Sequence, residues 1–464
     1  MTALADVVTA AHTQLFIAGE WTDAESGDRI DVLNPATGGV LCQVADATVA
    51  DGMRALRAAA EAQAAMAATT PRQRHDWLMA AYSTVLDRID DLALLMTLEM
   101  GKPLAEARGE IGYAAEFLRH FAGEALRISG GYQVAPGGGA RFLLTKQPVG
   151  PSLLITPWNF PMAMGTRKIA PAIAAGCTSV IKPAQQTPLS MLALVAILDE
   201  VGVPPGAVNA ITTRRSGAVM EPMIRSGLAR KLSFTGSTAV GKHLLEQCAD
   251  KVLRTSMELG GNAPFIVFED ADLDAAVIGA VQAKMRNMGE ACTAANRIYV
   301  HSSIIGEFAA KLRDALGALR VGPGVEEGVQ VGPLIDAAAR QKVADLVKDA
   351  IEHGARVLTG GRVPEGPGFF YPPTVLLDVP SDARMASEEI FGPVAPLTGF
   401  DTEAEVLRAA NDTPYGLVAY VFTTNLDRAL RVAEGLQTGM VGLNQGIVSN
   451  PAAPFGGVKE SGLG

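Results

Sequence analysis

From Leu153 to Gly261, short apolar runs alternate with longer segments of helical character. The runs are Leu153-Leu154-Ile155, Ser179-Val180-Ile181, Val208-Asn209-Ala210-Ile211 and Leu232-Ser233-Phe234. Between them lie GTRKIAPAIAAG (165–176), PLSMLALVAILDEVG (188–202) and STAVGKHLLEQCADK (237–251). Strand, helix, strand at this spacing predicts an α/β fold with a parallel, doubly wound sheet. Upstream, Thr48 to Glu124 is rich in Ala, Leu and Glu, with Pro71 and Pro103 as breakers, and predicts a series of helices. The stretch 127–150 has β-prone runs around a glycine-rich turn, the pattern of a hairpin arm projecting from the sheet. A second alternating region begins with PFIVF at Pro264. There Leu273, Val277, Val281, Met285 and Met288 recur on one helix face, which ends at Gly289. Arg297 to Val300 returns as a strand, so Cys292 falls in a helix-to-strand connection and not at a periodic core position.

Composition narrows the class. With 464 residues, 48% hydrophobic and 19% charged, the chain is globular and long enough for several domains. A net charge of −10 without any basic run excludes a nucleic-acid partner. The amino terminus MTALADVVTAAHTQLF lacks a basic region and carries Asp6, so no signal peptide is expected. Charges interrupt every apolar stretch before membrane-spanning length, so no membrane association is expected. Cys42, Cys177, Cys248 and Cys292 are scattered, without CxxC or clustered His. This argues against a metal site or a disulfide framework and for the reducing cytoplasm.

Three stretches carry candidate chemistry besides the cysteine. SFTGSTAVGKH (233–243) has the strand, glycine turn and helix start that aim backbone N–H groups at phosphate. From Gly236 to Lys242 it nears a P-loop, but His243 stands where Ser or Thr is required. A plain βα turn accounts for it equally well. In MELGGNAP (257–264), Glu258 precedes a double glycine; it is either a general base or a solvated loop residue. In TPWNFP (156–161), Asn159 follows a strand; its amide either donates to an oxyanion or forms a turn.

WNFP, KPAQQTPLS, FTGSTAVGK, MELGG, Cys292, EEIFGPV (388–394) and PFGGVKESGLG (454–464) occur in that order. In this the chain resembles the NAD(P)-dependent aldehyde dehydrogenases over nearly its whole length. The resemblance implies the aldehyde dehydrogenase fold: a Rossmann-like cofactor domain (1–126 and 144–258), an α/β catalytic domain (259–440), an oligomerisation β-hairpin (127–143) and a carboxy-terminal substrate loop (441–464). It implies Cys292 as nucleophile, Asn159 with the Cys292 N–H as oxyanion donors, and Glu258 as the base that hydrolyses the thioester. It further implies a cofactor site of Trp158, Lys182, Gln185, Thr235, Gly236, Ser237, Leu259, Glu389 and Phe391. Lys182 would hold the adenosine ribose, Glu389 the nicotinamide ribose, and Phe391 would pack near the ring. Ala291, Thr293 and Ala294 would leave room for aldehyde and cofactor at the sulfur.

Three departures are visible. Glu290 stands where relatives usually have Gln, and its charge is expected to disfavour the thiolate slightly. Gln185 stands where NAD-specific relatives often have Glu, which favours NADP over NAD. Relatives continue past Gly464 with a further strand, so the tail reads as truncated. Arg167, Arg286 and Ser449 match the carboxylate-binding positions of succinate-semialdehyde dehydrogenases. The expected reaction is therefore oxidation of succinate semialdehyde to succinate in a homodimer or homotetramer. Glutarate semialdehyde, a neutral aldehyde, or a catalytically silent protein on the same scaffold are the alternatives.

Overall fold

The alternation from Leu153 onward forms one seven-stranded sheet. Its order is Arg254–Glu258, Lys231–Thr235, Ser152–Ile155, Ser179–Lys182, Val208–Ala210, Leu15–Ile17 and Glu20–Thr22. The first five strands are parallel, and the amino-terminal pair adds antiparallel at the edge. The computed structural model describes residues 4–464; residues 1–3, which open the amino-terminal stretch read above and the domain assigned from residue 1, lie outside the described residues. Chain order runs outward from Ser152–Ile155 in one direction, then jumps back to place Lys231–Thr235 on its other side. Such a switch point opens a crevice at the carboxyl ends of the strands. Thr156 to Asn159 and Gly236 to Ser237 leave the sheet there.

A second seven-stranded sheet has the order Arg356–Thr359, Thr374–Leu377, Val394–Phe400, Ala295–His301, Ala263–Val267, Val418–Phe422 and Met440–Leu443. All neighbours are parallel except the Arg356–Thr359 edge. Strands such as Ser152–Ile155 and Ala263–Val267 are buried at every position, as expected of parallel sheets covered on both faces.

The helical series resolves into Val49–Ala67, Pro71–Asp87, Ile89–Met100 and Leu104–Ala125. Thr48 and Thr70 begin the first two with reciprocal capping boxes to Asp51 and Gln73, and Pro71 occupies the first turn. The arm consists of Gly131–Val134 paired antiparallel with Arg141–Leu144. It holds Tyr132, Val134, Leu143 and Leu144 out to solvent.

The helical face expected through Met288 stops earlier. The helix is Leu273–Met285, followed by a tight turn over Arg286–Gly289. Asn287, Met288 and Gly289 are left-handed, with φ of 54°, 55° and 79°. Apolar periodicity cannot register a backbone reversal whose side chain, Met288, is itself fully buried.

Candidate active site

Three consecutive left-handed residues, two of them not glycine, store backbone strain that the surroundings must hold. Asn287 N–H donates to Glu106 Oε2 at 2.6 Å, and its side-chain amide donates to the carbonyls of Asn159 and Glu290, both at 2.9 Å. Gly289 is required as well as permitted, because a Cβ there would lie 2.1 Å from the Gly392 carbonyl oxygen. This turn delivers Cys292 to the wall of a cavity of about 280 Å³. Burial, reinforced by the negative charges of Glu389 and Glu258, pushes its thiol up to about 12, against the opposing pull of Arg167 and Arg286. The resting sulfur is therefore a neutral thiol. Its backbone N–H donates to no backbone group among the described residues.

Glu290 differs from expectation. Its carboxyl is fully buried, accepts from Ile335 N–H at 3.1 Å, and is held well above the ordinary carboxyl range by desolvation. Burial thus disfavours its ionised form, and the charges bearing on the sulfur are those of Glu389, Glu258, Arg167 and Arg286.

The cavity brings together most residues singled out from the sequence. Asn159 and Cys292 share its wall with Trp158, Thr235, Gly236, Ser237, Leu259, Glu389, Phe391, Arg167, Arg286 and Ser449. Asn159 is fixed from both sides: its amide donates to the Glu290 carbonyl at 2.9 Å, and its own carbonyl accepts from Lys102 Nζ at 2.9 Å. One amide hydrogen is thereby committed and the other is left over.

Glu258, Lys182 and Gln185 are not on that wall. Glu258 ends the strand Arg254–Glu258 and is clasped by the carboxy-terminal segment, which bridges at Gly462 and accepts Leu259 N–H on the Ser461 carbonyl at 2.9 Å. Gly462, at φ 144°, has no room for a Cβ, which would lie 2.0 Å from the Met257 carbonyl oxygen. Glu258 Oε2 is buried without a partner among the described residues. Desolvation raises this carboxyl to about 7, opposed by the cations Lys168 and Arg167.

The crevice fits a dinucleotide. Ser237 begins the helix Thr238–Ala249 without bonding its first turn, so those N–H groups are open to a diphosphate. Thr235 Oγ1 is buried beside them and has no partner among the described residues. Lys182, at the end of its strand, is buried, donates to Ser216 Oγ at 2.9 Å, and has its ammonium lowered to about 8 by burial. Gln185 lies exposed in the turn that follows. Glu389 accepts from Gly261 N–H at 3.4 Å and is raised by burial to about 7. Phe391 meets Trp158 edge to face at 5.4 Å. Among the described residues no group of acidic, His and Cys side chains is placed to hold a metal, and no helix is long and apolar enough to cross a membrane.

At another part of the cavity wall, Arg167 and Arg286 lie among aromatic rings. The Arg167 guanidinium is 4.2 Å from the Phe455 ring centre and 4.8 Å from that of Phe117; Arg286 is 5.0 Å from that of Phe160. Arg167 donates to the Tyr113 hydroxyl, and Arg286 contacts Ser449 Oγ at 3.5 Å; neither partner is a carboxylate. Arg167 Nε is buried with no acceptor among the described residues. Two cations with spare donors are a site for an anion.

Sequence reasoning missed four contributors. Tyr113, Phe160 and Phe455 line the cavity, and Lys168, fully buried and donating to Ser233 Oγ at 3.0 Å, bears on Glu258. One signal was available: Glu106, Glu110, Tyr113 and Phe117 recur every three or four residues on one helix. Read as a stripe, they mark the face that supports the site.

Residues 21–464 match the aldehyde dehydrogenase family. The chain is 54% identical over 425 residues to a succinate-semialdehyde dehydrogenase of Paenarthrobacter nicotinovorans, covering 92% of this chain and 94% of that one. It is 51% identical over 453 residues to the NADP+-dependent succinate-semialdehyde dehydrogenase GabD of Escherichia coli (strain K12), covering 97% and 93%. Its backbone is similar to the crystal structure of an NADP-dependent enzyme from E. coli with a TM-score of 0.96 at 50% identity, covering 98% and 94%.

Proposed function

The chain belongs to the aldehyde dehydrogenase family, and we propose that it oxidises succinate semialdehyde to succinate, with NADP+ preferred over NAD+. The observation that carries the substrate is the pair Arg167 and Arg286 on the wall that also holds Cys292, with no carboxylate among their hydrogen-bond partners in the described residues. Desolvating two cations is costly unless an anion arrives. The distal carboxylate of the semialdehyde is that anion, and Ser449 adds a hydroxyl beside it.

Cys292 attacks the aldehyde carbon, forming a C–S bond as the carbonyl becomes an alkoxide. The thiol loses its proton in this step, and Glu258, titrating near 7 with Oε2 unpartnered, receives it. The spare Asn159 amide hydrogen and the Cys292 N–H stabilise the alkoxide in a site already fixed before reaction. The bound nicotinamide supplies the hydride acceptor. Cys292 then carries a thioester; Glu258 passes the thiol's proton to solvent, takes a new proton from the water that hydrolyses the thioester, and that proton goes to the departing sulfur as succinate is released.

The cofactor preference rests on charge. Gln185 is neutral where a Glu would repel a 2′-phosphate, Lys182 stands at the strand end, and Arg215, next to the Ser216 that bonds Lys182, is exposed. The exposed, apolar edge of the Gly131–Val134/Arg141–Leu144 hairpin supports assembly as a homodimer or homotetramer, since an unpaired strand edge recruits a partner. Four unpaired thiols fit the cytoplasm. An aldehyde panel run separately with NAD+ and NADP+ tests the reading: succinate semialdehyde with NADP+ gives the highest kcat/KM, and a neutral aldehyde in first place contradicts it. A light-scattering mass of one subunit contradicts the assembly.

A further inference from the structure

Tyr113 stands where the two arginines meet. Its hydroxyl oxygen accepts a hydrogen bond from Arg167 Nη2. Its ring centre lies 5.8 Å from the Arg167 guanidinium carbon and 5.5 Å from that of Arg286. A phenol oxygen that accepts from a guanidinium directs its own O–H away from that cation. Tyr113 lines the cavity, so this hydrogen has the substrate space to enter. The other rings around the two cations belong to Phe117, Phe455 and Phe160. Aromatic faces hold a guanidinium without neutralising it and leave its in-plane N–H groups for a ligand. An acidic side chain in place of Tyr113 would bind Arg167 equally well but cancel the charge that the ligand needs.

From this arrangement we infer that Tyr113 is a specificity-determining residue: its oxygen sets the position of Arg167, and its O–H donates to the distal carboxylate of the substrate. The inference rests on the carboxylate reading above and adds to it a neutral donor between the two cations. It also separates two roles within one side chain. The ring face lies against both guanidinium groups, and the hydroxyl holds Arg167 through its oxygen and meets the anion through its hydrogen.

Tyr113→Phe keeps the ring and removes the oxygen, whereas Tyr113→Leu removes both. Steady-state kinetics at saturating NADP+ are measured for each variant with succinate semialdehyde and with butanal, whose turnover also reports that the variant is folded. Tyr113→Phe is expected to lose about 10- to 100-fold in kcat/KM for succinate semialdehyde, carried by KM with kcat nearly unchanged, as for a lost hydrogen bond to a charged group. Butanal is expected to be unaffected by Tyr113→Phe. Tyr113→Leu is expected to lose more on succinate semialdehyde and still turn over butanal. A Tyr113→Phe variant that keeps the wild-type preference for succinate semialdehyde, or that loses both aldehydes equally, overturns the inference and leaves the carboxylate reading standing. A wild-type enzyme with no preference between the two aldehydes removes the carboxylate reading, and this inference with it.

Discussion

The carboxyl of Glu258 acts on the thiol of Cys292 through its charge, helping to keep the sulfur protonated at rest. On the mechanism proposed above, the group that opposes the thiolate at rest is the one that takes its proton during turnover. Glu258 itself is raised by burial to about 7. A base must be deprotonated to act, so kcat is expected to rise with pH through about 7 and to be lost below it. Glu258→Gln is expected to remove this limb and to show a burst of reduced cofactor followed by slow thioester hydrolysis. An unchanged pH profile with no burst would take Glu258 out of the role.

Cys292→Ala is expected to lose turnover by on the order of a thousandfold or more, since no other group forms the covalent intermediate. Cofactor affinity, measured by calorimetry, should be retained, because the thiol makes none of the nucleotide contacts proposed here. Substantial residual turnover would remove Cys292 as nucleophile.

The preference for NADP+ is tested by introducing the missing charge. Gln185→Glu is expected to shift the ratio of kcat/KM values toward NAD+ by about tenfold or more through repulsion of the 2′-phosphate. Arg215→Ala is expected to move it in the same direction with the NAD+ reaction unchanged. A wild-type enzyme that strongly prefers NAD+ contradicts the charge argument.

Glu290 offers a stability test that does not depend on activity. Its folded-state pKa is raised by burial, so folding requires it to take up a proton above the ordinary carboxyl range. Its favourable contribution is therefore present below the unfolded pKa and is lost as pH rises through the folded one. Glu290→Gln keeps an acceptor for Ile335 N–H and removes the titration. Melting temperature is expected to rise in this variant, by more at pH 8 than at pH 5; an equal change at both values would mean that Glu290 is not held neutral.

Much of this site was legible in the sequence because its chemistry sits in local motifs at the ends of strands. Lys182 and Gly236 follow apolar runs that could be read as parallel strands, whereas the strand that ends in Glu258, RTSME, is mostly polar and gave no such signal. What was not legible depends on contacts between distant parts of the chain. The strand Leu15–Ile17 is too short to announce itself and is defined by pairing with Val208–Ala210. The reversal at Asn287 and Met288 is fixed by Glu106, far away in the chain. The charge state of Glu290 depends on a burial that no local pattern contains. Tyr113 was hidden for the opposite reason: at helical spacing an aromatic residue reads as core, and only the arrival of Arg167 and Arg286 against it shows otherwise.

The central claim is that Arg167 and Arg286 recognise a substrate carboxylate. The direct measurement compares Arg167→Gln and Arg286→Gln with wild type on succinate semialdehyde and on butanal. Each substitution is expected to cost about 2–5 kcal/mol in transition-state binding for succinate semialdehyde, seen as kcat/KM, with little change for butanal. Equal losses on both aldehydes, or a wild-type enzyme that turns over butanal as well as succinate semialdehyde, would contradict it.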